Sequence, residues 1–150
     1  MTLLWTFVLF THVTAAVFWV GGQLMLSFVV LPAFRRLAPP PLVAQVTIAA
    51  ARRFARIANR GLLPVLVVSG PLLAWHDGVR PSTIDATVFG QVLEVKIVLV
   101  LVVVGLALTH GVTAKRLSRR GSRRLGLVTM GLSVLILGFA AALAVLPSPN

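Results

Sequence analysis

Residues 97–124 read IVLVLVVVGLALTHGVTAKRLSRRGSRR. Twelve residues pass without a polar side chain, and then six Lys/Arg fall within positions 115–124. An apolar run that stops at a basic cluster is the pattern of a membrane span ending at the cytoplasmic face. Extended back to Val88, the run exceeds the ~20 residues that cross a hydrocarbon core of ~30 Å.

Outward from this stretch the pattern recurs. Apolar runs occupy about residues 2–31, 58–75, 88–112 and 125–146. The chain has 150 residues, 58% of them hydrophobic, and only three acidic side chains. A water-soluble domain of this size needs far more polar surface around its core. The expected fold class is therefore all-α, an integral membrane four-helix bundle forming a single transmembrane domain. The first run carries no basic leader and no small-residue cleavage site, so it is expected to stay as a mature helix. Without cysteine, disulfides, thiolate metal sites and thiol catalysis are excluded.

The formal charge of +11 does not point to nucleic acid. The basic residues are neither spread over a face nor interleaved with aromatics. Twelve lie in the first and third loops, and the second loop holds Arg80 alone. That bias predicts both termini outside and the arginine-rich loops in the cytoplasm, in a bacterial inner membrane or its equivalent. The same clusters attract anionic lipid headgroups.

Pro32, Arg35 and Arg36 are expected to end the first helix, and Leu37–Pro41 reads as a proline-rich break. From Leu42, apolar Val43, Val46, Ala50, Phe54 and Ile57 repeat at three- and four-residue steps beside Arg52, Arg53, Arg56 and Arg60. This predicts a cytoplasmic amphipathic extension running straight into the second span. Pro64, Gly70 and Pro71 predict a kink there. Asp77-Gly78 and Arg80-Pro81 mark turns in the outer loop, and Pro147 stops the fourth span. Trp5 and Trp75 fit an outer aromatic belt.

With so few ionisable groups, those within apolar runs carry the information. His12, Glu94, Lys96 and His110 qualify, because such residues usually face the protein interior and mark function. The basic loops serve as depth markers at about 1.5 Å per residue. Lys96 lies 19 residues before Lys115, about 28 Å, near the outer boundary. His12 lies 23 residues before Arg35, about 34 Å, also toward the outer side. His110 lies five residues before Lys115, about 8 Å, near the inner side. His12 and Lys96 are thus expected to share one outward-facing site, with Gln91, Glu94 and His76 at its mouth. His12 and His110 differ too much in depth to be paired axial ligands of one haem. Lys96 and His110 stand 14 residues apart on one helix face. His12, Trp19 and Gln23 share a side of the first helix, beside small Ala15, Ala16 and Gly22. Plainer roles stand beside each of these: Lys96 snorkelling to the interface, His12 as a packing contact, His110 as an interfacial residue, His76 as a loop residue, and Gly21-Gly22 as packing.

Three stretches resemble the CopD-type membrane domain, named for copper resistance. They are Phe18-Trp19-Val20-Gly21-Gly22 after a helix histidine; Arg52-Arg53-Phe54-Ala55-Arg56 leading to Val68-Ser69-Gly70; and Thr87-Val88-Phe89-Gly90-Gln91-Val92-Leu93-Glu94-Val95-Lys96. Together they cover roughly residues 8 to 117. The order His12, Lys96, His110 is also similar to the HemJ-type proteins linked to haem synthesis, and both families resemble four-helix membrane cytochromes b. The resemblance implies a haem b or copper role. Copper proteins of membranes favour soft Met and Cys ligands, but here cysteine is absent and Met1, Met25 and Met130 are scattered. Histidines within a helical bundle suit haem better.

The expectation is a haem-b-binding membrane protein for electron transfer or haem handling; if an enzyme, it is a haem-dependent membrane oxidoreductase. Its cofactor-binding residues would be His12, Lys96, His110, Trp19 and Gln23, with Lys96 or Arg80 available for propionates. The alternatives are copper import or delivery, with His12, His76 and His110 as metal ligands, and a non-catalytic subunit of a larger complex. A periplasmic redox or copper-carrying partner and a homo-oligomer are compatible with either role.

Overall fold

A computed structural model describes residues 2–82, 84–113 and 119–147, without the side chains of 107–113, 119, 120, 122 and 123. Every regular element among the described residues is helical: α1 (Leu3–Leu24), a π segment (Met25–Val30), α2 (Leu31–Leu37), α3 (Pro40–Ile57), a second π segment (Ala58–Leu62), α4 (Leu63–His76), a 3-10 turn (Ile84–Ala86), α5 (Val88–Thr113) and α6 (Arg119–Val145). Four stretches are long and apolar enough to cross a membrane: Leu3–Leu37, Pro40–His76, Val88–Leu106 and Arg124–Val145. The exposed surface agrees with that reading. Phe7 and Phe10 are 66% exposed, and Phe18 and Phe28 65%. Each such ring would cost about 2 kcal/mol in water, and lipid removes that cost. The chain is a multi-pass, all-helical membrane protein.

The backbone separates into two compact units, residues 1–73 and 74–150. In the first, helix continues through Pro32 rather than stopping there. A proline in a helix clashes with the carbonyl four residues back and donates no N–H. Here the turn preceding it is widened to i→i+5 bonding, with Leu31 N–H on the Leu26 carbonyl. The second π segment precedes Pro64 in the same way, with Leu63 N–H on the Ala58 carbonyl. Both prolines stand two residues past the end of a π segment. The real break is short: Ala38 and Pro39 are extended, and α3 restarts at Pro40, where the missing N–H costs nothing.

α3 is amphipathic and passes without interruption into α4, as its spacing predicts. Two contacts fix the antiparallel course of the long helical stretches. His12 meets Ser69, and the Phe54 ring lies on Gly22. Ala15, Trp19 and Val20 of α1 are buried, as is Ala58 where the second π segment packs against α1. The first two of the quoted stretches thus meet inside one unit: Gly22 receives Phe54, and His12 receives Ser69.

The second unit opens on the end of α4. Gly78, at φ 80°, reverses the chain. Val79 N–H bonds the Ala74 carbonyl at 3.0 Å, and Gly78 N–H the Trp75 carbonyl at 3.2 Å. This is the paired closure of a helix end by a left-handed glycine. Thr87 caps α5, its hydroxyl accepting Gly90 N–H at 3.0 Å. The 3-10 turn sits so close that a Cβ at Gly90 would land on the Ile84 carbonyl oxygen. Gln91 Nε2 ties the same turn down through the Asp85 carbonyl at 3.0 Å. α5 and α6 pack along their lengths, with Val103 and Ser133 buried.

The glycines separate by what lies opposite them. Gly90→Ala meets backbone and is expected to cost about 1–3 kcal/mol or more. Gly22→Ala displaces only a ring and should cost less, and Gly21→Ala, facing open space, should be neutral or stabilising by about 1 kcal/mol. Thermal unfolding in detergent checks the order; a Gly90→Ala protein as stable as the wild type contradicts it.

Candidate functional site: a histidine held between two membrane helices

α1 is apolar on nearly all sides, so a histidine within it needs a partner. The structure supplies Ser69 of α4. His12 Nδ1 lies 2.7 Å from Ser69 Oγ, and Ser69 is buried. Ser69 Oγ is also 2.5 Å from the Val65 carbonyl, one turn back on its own helix. A hydroxyl has one proton, and a carbonyl can only accept. Ser69 therefore donates to Val65 and accepts from His12, which places a proton on Nδ1. In the neutral imidazole, Nε2 is then the lone-pair nitrogen. A histidine that coordinates a metal through Nε2 is oriented by such a bond from Nδ1–H.

The surroundings of the ring suit close approach. A Cβ at Gly70 would stand 3.5 Å from His12 Cε1, an ordinary contact, so this position has room for a methyl group and little more. Trp19, two turns along α1, is buried, and Gln23 is half-buried one turn further. His12, Trp19 and Gln23 all lie within the one regular helix whose register puts them on a common side. From the apolar start of α1 at Leu3, His12 is nine residues in, about 14 Å. Ser69 is seven residues from the end of α4 at His76, about 10 Å.

The remaining sequence candidates belong to the second unit. Lys96 is half-buried, eight residues into α5, and Glu94 is exposed. Gln91, expected at a site mouth, is engaged with the Asp85 backbone. His110 falls within α5, which runs unbroken between it and Lys96, but its side chain lies outside the described residues. So do Lys115 and Arg116 of the third loop. His76 is the last residue of α4. Beside it, burial pushes the Asp77 carboxyl up from its ordinary range, and the charge of His76 partly offsets this. Arg80 lies 4.1 Å above the Trp75 ring and donates to the Trp75 and Val79 carbonyls at 2.9 and 3.0 Å. Its guanidinium thus caps the end of α4. Among the described residues, no three His, Asp or Glu side chains gather as a metal-binding group.

Sequence reasoning singled out His12 but not its partner. Ser69 appeared only inside the Val68-Ser69-Gly70 resemblance. Its signal was a lone hydroxyl beside a glycine in an apolar helix.

No known protein family, curated protein or solved structure matches the chain.

Proposed function

We propose that this is a four-span inner-membrane protein, with both termini outside, that binds haem b through His12 for electron transfer or haem handling. The observation that carries the reading is the His12–Ser69–Val65 chain of hydrogen bonds, which orients the ring and holds its Nδ1 proton between two apolar helices. The donor chemistry fits the group: an imidazole held in one tautomer and no competing thiol. The resemblance to CopD-type and HemJ-type proteins implies a haem b or copper role, and this reading is one of the two. Haem bound there would supply one-electron chemistry. The chain's part is to orient the ring through Ser69, to hold the Nδ1 proton, and to keep water away with apolar helix faces. Trp19 and Gln23, on the same side of α1 as His12, are proposed as contributors, each tested by the spectrum of its own variant.

Purified in mild detergent after haem-sufficient expression, the protein should show a Soret band. His12→Ala should lose it. Ser69→Ala should weaken haem affinity by about 10- to 100-fold, as loss of an orienting partner does, and Ser69→Thr should restore it. A colourless wild-type protein that also fails to take up added haem sinks the proposal, and copper found in its place favours the copper alternative.

The orientation has its own test, made clean by the absence of cysteine. On intact cells, a membrane-impermeant maleimide should label Ser82→Cys, and should reach Ala51→Cys only after permeabilisation. The reverse pattern refutes the proposed topology.

A further inference from the structure

Residues 1–76 contain six arginines and no acidic residue, since Asp77, Asp85 and Glu94 all come later. Three of the six, Arg53, Arg56 and Arg60, line a groove of about 460 Å³ at the junction of α3 and the second π segment, with Ile57 as its fourth lining residue. The spacing is three, four, three and four residues, so all four lie along one helix face. The three arginines are exposed, and Ile57 is 55% exposed. Like charges at such spacing repel one another. No carboxylate within this unit can offset them.

We infer that this groove is a binding site for one anionic phospholipid, its phosphate held by Arg53, Arg56 and Arg60 and its acyl end lying on Ile57. Guanidinium forks match phosphate oxygens two at a time, and charge-assisted bonds of this kind are the stronger ones. A free phosphate would satisfy the arginines and leave Ile57 exposed to water. A phospholipid satisfies both, and the amphipathic, arginine-bearing α3 passes into the apolar α4, a junction suited to headgroup level. The inference is independent of any haem role.

The test is native mass spectrometry of the full chain in a neutral detergent, titrated with phosphatidylglycerol. The wild type should take up a first phosphatidylglycerol in preference to phosphatidylcholine. The triple variant Arg53→Gln, Arg56→Gln, Arg60→Gln should weaken that first event about tenfold or more. A variant with equal charge loss elsewhere, Arg119→Gln, Arg123→Gln, Arg124→Gln, should keep it. Equal loss in both variants, or equal uptake of phosphatidylcholine, overturns the site in favour of diffuse surface charge. Inorganic phosphate binding as tightly as the lipid overturns the choice of a lipid. If the triple variant does not fold, Arg56→Lys and Ile57→Ser decide: both should weaken the first lipid, and an unchanged titration in both overturns the inference.

Discussion

Inside a bilayer no water is at hand to pair with a backbone N–H or C=O, and each group left alone costs several kcal/mol. The helices of this chain, and the irregularities within them, follow from that. Pro32 and Pro64 each remove a donor, and in both places the preceding turn widens until the neighbouring carbonyls find other partners. Hydroxyls follow the same rule. Thr11 bonds the Phe7 carbonyl, Thr129 that of Leu125 and Ser133 that of Thr129, all one turn back. Among the described residues no buried side-chain nitrogen or oxygen lacks a partner. Ser69 obeys the rule as well, and doing so gives it one function more. Its proton goes to Val65, so its lone pair is what His12 meets.

The site is thus a consequence of packing chemistry in lipid. α1 brings a histidine, α4 brings a hydroxyl already committed to its own helix, and Gly70 keeps the neighbouring position small. Further along the same helix pair, Phe54 on Gly22 sets how closely the two stretches approach. A histidine that ligates a metal is commonly held in one tautomer by such a bond from its other ring nitrogen.

Much of the fold was legible in the sequence because membrane spans announce themselves by length and apolarity. The four runs, the break near Pro39, the amphipathic stretch from Val43 to Ile57 and the turn at Asp77-Gly78 all follow from local chemistry. The passage of the first helix through Pro32 was not legible. Pro32 is a stop signal by propensity, yet the helix goes on to Leu37 after a widened turn. The His12–Ser69 pairing was hidden for a different reason. Apolar helices have almost no amphipathic face, so periodicity does not say which side of α4 meets α1. His12 stood out as an ionisable group in lipid, whereas a serine in a membrane helix is commonplace and carries meaning only once its neighbour is seen.

The claim on which the rest turns is the tautomer of His12. Nitrogen NMR of histidine-labelled protein, with His76→Gln and His110→Gln used to assign the signals, reads it directly. The account predicts a proton on Nδ1 and a lone pair on Nε2 of His12 at neutral pH, lost to a mixed population in Ser69→Ala. A proton resident on Nε2 in the wild-type protein would contradict it.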